Sequence, residues 1–425
     1  MSLTSGLRSG LLYPFCAILS GFGGSTVKFF LLPSHRTISL LFLFSILVAS
    51  CSAPRGWVVL EDPPEVEWED DASQQSLERA VEQSIVYFNR LPTDRRIAYG
   101  KLHYTPEEMV RSLRLFLQLR KDVTDPEQFR EELWKRFHIF ESVSEESENL
   151  FTGYYEPIIR GSLKPKGRLQ TPLYNRPDNL VEIDLSDFGD NLPDQRLVGR
   201  VEQGRVLPFF SREEIQEDKK LKGKVKPIAY VNEVDLFFLQ IQGSGIVHMT
   251  DGKEIRVGYH GHNGHPYRSI GAKLIRQEAI PREDVTMQTI RTYLDENPDK
   301  VRSLLFSNPS YVFFRPLDGE EGPLGNISVP LTPGRSLALD RRLFPKGGLV
   351  YLSATAPLFG DSDGSRTLNR FMLTQDTGGA IRGHGRGDVF WGKGLLAEWN
   401  AGHMKHPGRM WLIVARKEFL SGVEE

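Results

Sequence analysis

The sequence predicts a mixed, β-rich fold with helices gathered at its N-terminal end, and three observations carry that expectation. Apolar residues recur three and four apart through the stretch around residues 77–137. From Phe151 onward the pattern changes to short apolar runs broken by Gly, Pro and Asp. No repeat of fixed period or low-complexity block interrupts either part. Many short strands without regular strand–helix alternation point to a barrel rather than a doubly wound sheet. A chain of 425 residues, 40% of them hydrophobic, can bury a sizeable core and is expected to form two or three compact units.

The N-terminal residues carry signals of targeting rather than of fold. Residues 38–48 (ISLLFLFSILV) follow His35 and Arg36 and are too short for the about 20 residues of a spanning helix, but suit the apolar region of a signal peptide. Val48-Ala49-Ser50-Cys51 resembles the lipobox of bacterial lipoproteins, which implies cleavage before Cys51 and its acylation. Ser52 then favours the outer membrane, and an ordinary secretory signal with an incidental cysteine remains the alternative. Residues 1–50 are thus expected to be a lipoprotein-type signal peptide, with translation starting further in, near Val27. Cys16 and Cys51 are the two cysteines, so the body after them has no cysteine for a disulfide or a thiolate zinc site.

Residues 51–72 read as an acidic, solvated tether, with seven acidic residues against one basic between Pro54 and Asp71. Leu77, Ala80, Val81, Ile85 and Phe88 mark a first helical face. Thr105-Pro106-Glu107-Glu108 is a capping box with proline at the first helical position, and Asp125-Pro126 opens a further helix through Phe129, Leu133 and Phe137. Strand-like runs follow, among them residues 227–231, 236–241 and 246–249. Thr250-Asp251-Gly252-Lys253 is a hairpin turn signal. Helical patterns return near 269–278 and 282–294, and strands near 311–314, 336–339, 348–353, 370–374, 388–391 and 410–414.

Charge excludes some classes of function. Lys plus Arg number 53 and Asp plus Glu 55, so bulk electrostatics gives no reason to expect nucleic acid as a partner. Nucleotide-loop, zinc-protease and nucleophile-elbow motifs are missing. His260, His262 and His265 lie close in sequence, but no nearby carboxylate or cysteine completes a metal set, so no metal and no cofactor is expected. The chemistry is instead expected in residues 374–392, TQDTGGAIRGHGRGDVFWG, where Asp376 and Asp388 flank five glycines. Glycine lets backbone approach a ligand closely, although aspartates beside glycine also serve simply as turn formers. Thr152-Gly153-Tyr154-Tyr155 and Gln242-Gly243-Ser244-Gly245 offer the aromatic faces, hydroxyls and amides of a sugar-binding groove, and equally of ordinary loops.

FTGYYEP (151–157), QGSG (242–245), GHNGHPYRSIG (261–271), NPSYVFF (308–314), VPLTPGRSLALDRRLFPKG (329–347) and QDTGGAIRG (375–383) followed by Asp388 resemble, in this order, the membrane-bound lytic murein transglycosylase A family. The resemblance covers about residues 77–412. It implies a double-psi β-barrel catalytic domain from residues 73–157 plus 317–425, including the N-terminal helical segment. It also implies an inserted, smaller β domain at 158–316 forming the other wall of a groove. By resemblance Asp388 is the catalytic acid, with Asp376 in support. Thr152, Tyr154, Gln242 and Ser244 are expected to contact glycan, with Thr152 nearest the acid, and the amides of Gly378 and Gly379 to supply dipoles. The spacing between the aspartates is one residue longer than the family form implies, so the loop at 382–387 is expected to differ in shape.

Such an enzyme cuts the β-1,4 bond between N-acetylmuramic acid and N-acetylglucosamine without water, leaving a 1,6-anhydro ring, so one carboxyl can act first as acid and then as base. A hydrolase using both aspartates and a non-catalytic glycan-binding lipoprotein are the alternatives. The implied partners are peptidoglycan strands, the membrane through lipid on Cys51, and a cell-wall synthesis complex. The chain is expected to be a monomer on the periplasmic face of the outer membrane.

Overall fold

The computed structural model describes residues 56–144, 148–193, 195–319, 322–379 and 381–422. The expected signal peptide and lipobox, with Cys51, lie outside them. Six strands pair in a ring: Leu150–Glu156, Arg386–Lys393, Ser336–Ala338, Asp361–Asp376, Leu349–Leu358 and Lys405–Ala415. The first two pair in parallel, as do Ser336–Ala338 and Asp361–Asp376, and the other contacts are antiparallel. Closure comes from Lys405, His406 and Pro407, which pair with Thr152, Phe151 and Leu150. Beyond Gly408 the same edge of Lys405–Ala415 turns to Phe137–Val143 instead, which in turn pairs with Gly56–Val59.

Capping places the helices that cover this barrel. Thr105 and Glu108 form the expected reciprocal box at the start of Pro106–Asp122, and the Asp125 side chain accepts from the Gln128 amide at the start of Pro126–Arg136. Gln74–Phe88 begins on Ser73 and buries Leu77, Ala80, Val81, Ile85 and Phe88. With the barrel interior they form one apolar cluster. Within it Phe116 lies 4.7 Å from Phe371 and Tyr351 4.8 Å from Phe371, ring centre to ring centre. The helix from Asp125 stops at Arg136; Phe137, expected to be its last inward residue, begins a strand.

The acidic stretch, exposed at Glu61, Asp62, Glu65 and Glu67, is docked at both ends of its described residues. Gly56–Val59 is a paired strand. Trp68 is 2% exposed, packed 4.9 Å from Tyr351. Arg335 grips Asp70 through two hydrogen bonds, of 2.6 and 2.8 Å, and Arg370 grips Asp71 through two more, of 2.7 and 2.8 Å. Bidentate arginine pairs convert what reads as a repelling acidic run into a docked segment.

The chain leaves the barrel at Pro157 and builds a second sheet in the order Val312–Pro316, Glu254–His262, Ser244–Met249, Ile158–Ser162, Pro227–Val231, Thr171–Tyr174. The hairpin signal at Asp251-Gly252 joins two of these strands, with Gly252 at φ +88°. Residues 236–241, expected as a strand, are helical within Glu233–Gln242. The Asn232 side chain caps it by accepting from the Val234 and Asp235 amides, Gly243 ends it in the left-handed region, and burial of Leu236, Phe237, Phe238 and Leu239 explains the continuous apolar run. A separate three-stranded sheet (Leu180–Asp184, Arg196–Glu202, Arg205–Pro208) and the helices Arg212–Gln216, Ile270–Arg276, Met287–Glu296 and Val301–Leu305 also belong to this half. Among the described residues no helix is long and apolar enough to cross a membrane.

Candidate functional site

The two expected aspartates are brought together by the short strand Ser336–Ala338. Asp376 ends one neighbouring strand and is the register partner of Ala338 on one side, while Asp388 is its register partner on the other. Thr152 is in turn the partner of Asp388, and Lys405 that of Thr152. Register partners project to the same face of a sheet, so Asp376, Ala338, Asp388 and Thr152 form a row across four strands. Alternation along Arg386–Lys393 then puts Arg386, Asp388 and Phe390 on that face, and sends Val389 into the barrel core.

The carboxyls differ in their bonding. Asp376 Oδ2 accepts from the Tyr154 hydroxyl at 2.8 Å, and Oδ1 accepts from the amides of Thr377 at 2.8 Å and Asn326 at 3.0 Å. Tyr154 is steadied by Phe390, its register partner, 5.2 Å away ring to ring. Asp388 Oδ1 is buried and has no hydrogen-bond partner among the described residues. Both aspartates keep a little accessible surface while protein packs closely around the rest. Burial lifts each to about 6. For Asp388 the Arg386 charge opposes the rise and the Asp376 charge adds to it. For Asp376 the three hydrogen bonds oppose it. Burial and both carboxylates push the Tyr154 hydroxyl well above its usual range, so it stays a donor.

Sequence reasoning missed two contributors. Arg386 supplies the positive charge that acts on Asp388, and period-two alternation could have placed it there. Asp340 holds the loop that leads into Asp388: its Oδ2 accepts from the Gly383 amide at 3.1 Å and from Arg342 at 2.6 Å. Burial pushes the Asp340 carboxyl up, but the Arg342 side chain, the Gly383 amide and the Arg342 backbone outweigh it and hold it at about 2. Gly385 approaches the chain so closely that a Cβ there would lie 2.5 Å from the Ser144 Cβ.

The remaining candidates lie at varying distance. Gly378 and Gly379 follow Asp376 directly, Gly379 exposed and the Gly378 carbonyl accepting from the Ile381 amide. Gln242 ends the helix Glu233–Gln242, and its Oε1 accepts from the Tyr155 amide at 3.0 Å, tying the second half of the molecule to a barrel strand one residue from Tyr154. Ser244 is 7% exposed and begins the strand paired with Glu254–His262. A surface cavity of about 570 Å³ between Glu141, Thr367, Asn369 and Arg409 contains neither aspartate. His262 Nδ1 accepts from the Gly264 amide, and His265 Nε2 lies 2.8 Å from the Phe209 carbonyl. Among the described residues no group of three or more His, Cys, Asp or Glu is placed to hold a metal.

Residues 150–315 match the family model described as the MltA specific insert domain, and residues 335–414 match the 3D domain. The first match holds Thr152, Tyr154, Gln242 and Ser244, and the second both aspartates. Membrane-bound lytic murein transglycosylase A of Escherichia coli K12 is 32% identical over 324 residues, covering 74% of this chain and 77% of that protein. This chain belongs to the membrane-bound lytic murein transglycosylase A family. Structures from the family agree. The membrane-bound lytic murein transglycosylase of Agrobacterium tumefaciens superposes with a TM-score of 0.68 at 30% identity, covering 85% of this chain and 97% of that one. Escherichia coli MltA with bound chitohexaose superposes at 0.64 with 27% identity, covering 85% and 95%. In this family member the insert match begins at residue 150, so its first strand, Leu150–Glu156, is one that the structure builds into the barrel.

Proposed function

We propose that this chain is a peptidoglycan lytic transglycosylase that cleaves the β-1,4 bond between N-acetylmuramic acid and N-acetylglucosamine and leaves a 1,6-anhydromuramic end. The observation that carries the single-acid reading is the asymmetry of the carboxyls: Asp376 is held by three donors, while Asp388 Oδ1 has no partner among the described residues and the residue keeps some accessible surface. A group that must give and then take a proton needs a carboxyl that fixed donors leave unengaged; a group that supports needs fixed bonds. The chitohexaose held by a relative is in keeping with a β-linked amino-sugar strand as ligand.

Asp388 begins protonated and gives its proton to the glycosidic oxygen as the bond to C1 breaks. The cation at C1 is then closed by the C6 hydroxyl of the same muramyl ring, whose proton returns to Asp388. No water is consumed and the acid is regenerated. Asp376 keeps a negative charge near the developing cation and holds Tyr154 in place. Thr152, Tyr154, Gln242 and Ser244 contact the strand, and the Gly378 and Gly379 amides add dipoles where charge develops.

The ring of strands is read as a double-psi barrel formed from 73–157 and 317–425, with 158–316 as the opposite wall of the groove. Acylation of Cys51 anchors the chain at the periplasmic face of the outer membrane, where a monomer meets its glycan and a cell-wall synthesis complex is its protein partner. Mass spectrometry of sacculi digested with purified protein tests the function. Fragments with anhydro ends support it, reducing ends mean a two-carboxylate hydrolase, and retention without soluble fragments means a binding protein.

A further inference from the structure

Arg386, beside Asp388, is a charged side chain whose bonding is unfinished among the described residues and which keeps part of its surface accessible. It lies two residues before Asp388 on the same face, roughly 6–7 Å along the strand. Its Nη2 is 3.4 Å from the Thr152 hydroxyl, its Nε is buried with no hydrogen-bond partner, and it forms no ion pair among the described residues. A guanidinium taken partly out of water and left unpaired is costly unless an acceptor arrives to meet it. Asp388 does not fill that role: locked to Arg386 it would be held as a carboxylate and could not start as the acid.

We propose that Arg386 receives the carboxyl oxygen of the 3-O-lactyl group on the muramyl ring undergoing cleavage, and so selects muramyl over N-acetylglucosaminyl at that position. This rests on the transglycosylase reading above. The chemistry of the substrate narrows the choice. The ring attacked at C1 carries the lactyl group two carbons away on C3, and N-acetylglucosamine has only a hydroxyl there. The planar fork of an arginine suits a carboxyl oxygen, either as a free carboxylate on peptide-free strands or as an amide carbonyl where a stem peptide is attached. Pairing with that oxygen also withdraws part of the Arg386 charge from Asp388, favouring the protonated acid once the correct sugar is bound.

Arg386→Gln and Arg386→Lys are compared with the parent for kcat and KM on peptide-free murein strands and on strands retaining stem peptides. Binding is also compared in an Asp388→Asn background, using peptide-free strands and chitohexaose. Arg386→Gln is expected to weaken murein binding by ~10–100-fold, the loss of a charge-assisted contact, with Arg386→Lys in between and chitohexaose affinity unchanged. A greater loss on peptide-free strands assigns the carboxylate, and an equal loss on both assigns the oxygen in either form. Unchanged murein binding in Arg386→Gln, or an equal fall for chitohexaose, would overturn the proposal. Because the binding arm needs no turnover, it decides the matter even if the parent yields no anhydro ends, a result that would count against the proposed reaction instead.

Discussion

Asp376 and Asp388 are register partners of the same residue, Ala338, from opposite sides of one three-residue strand. Two ladder spacings therefore separate their backbones, roughly 9–10 Å, and the Asp376 charge acts on Asp388 with no hydrogen bond joining them among the described residues. The barrel fixes this separation through Ser336, whose hydroxyl donates to Gln375 Oε1 at 2.6 Å, while Gln375 Nε2 donates to the Ala80 carbonyl at 2.7 Å.

Asp376→Asn keeps an oxygen for its donors but loses the charge. Activity is expected to fall by ~10–100-fold and to remain measurable, as the loss of one electrostatic contribution to the transition state would give. Release of soluble muropeptides measured against time checks this; complete loss would place Asp376 in the proton transfer itself.

Cleavage should depend on pH through the pair. Asp388 must be protonated at the start, and with both carboxyls lifted to about 6, kcat/KM is expected to fall as pH rises through that region. Removing the Arg386 charge takes away what opposes the rise at Asp388, and Arg386→Gln should move the alkaline limb upward. A flat profile from pH 5 to 8 would contradict the acid role.

The same shift bears on stability, with the sign set by proton binding. A carboxyl at about 6 in the folded chain and 3.8 in the unfolded one is protonated in the fold between those values, so its contribution is fully present below about 4 and lost as pH rises through 6. Asp388→Asn removes the charge that burial penalises at neutral pH. It should therefore stabilise the protein at pH 8 by on the order of 1–3 kcal/mol, reduced from the full linkage value because the side chain keeps some exposure, and the gain should vanish toward pH 4. Urea denaturation at the two pH values measures it; a gain that grows as pH falls would reverse the assignment.

Arg335 has no exposed surface and bonds Asp70, the Ser76 hydroxyl and the carbonyls of Phe371 and Ser73. Arg335→Ala leaves Asp70 buried without its partner and is expected to cost about 3–5 kcal/mol. Thermal melting checks it, and a change below ~1 kcal/mol would mean that the acidic segment is held mainly by Trp68.

What was legible in the sequence was local. The Thr105 box, the Asp125-Pro126 start and the Asp251-Gly252 turn depend on residues three or four apart, and each is where the pattern puts it. The run at 236–241 was not, because a fully buried helix and a buried strand are both continuously apolar; only Asn232 and Gly243 at its ends told them apart. The docking of Asp70 and Asp71 depends on arginines 265 and 299 residues away, and the Tyr154–Asp376 bond spans 222. Patterning carries no information at that range. The aspartates could be picked out from their glycines, but their difference in bonding required the fold.

The most direct test of a single proton-transferring carboxyl is the end-group analysis of murein strands incubated with the parent protein and with Asp388→Asn. Anhydro ends from the parent, and none from an Asp388→Asn variant that still binds strands, are the expected result. Anhydro ends formed at the parent rate by the variant would contradict it.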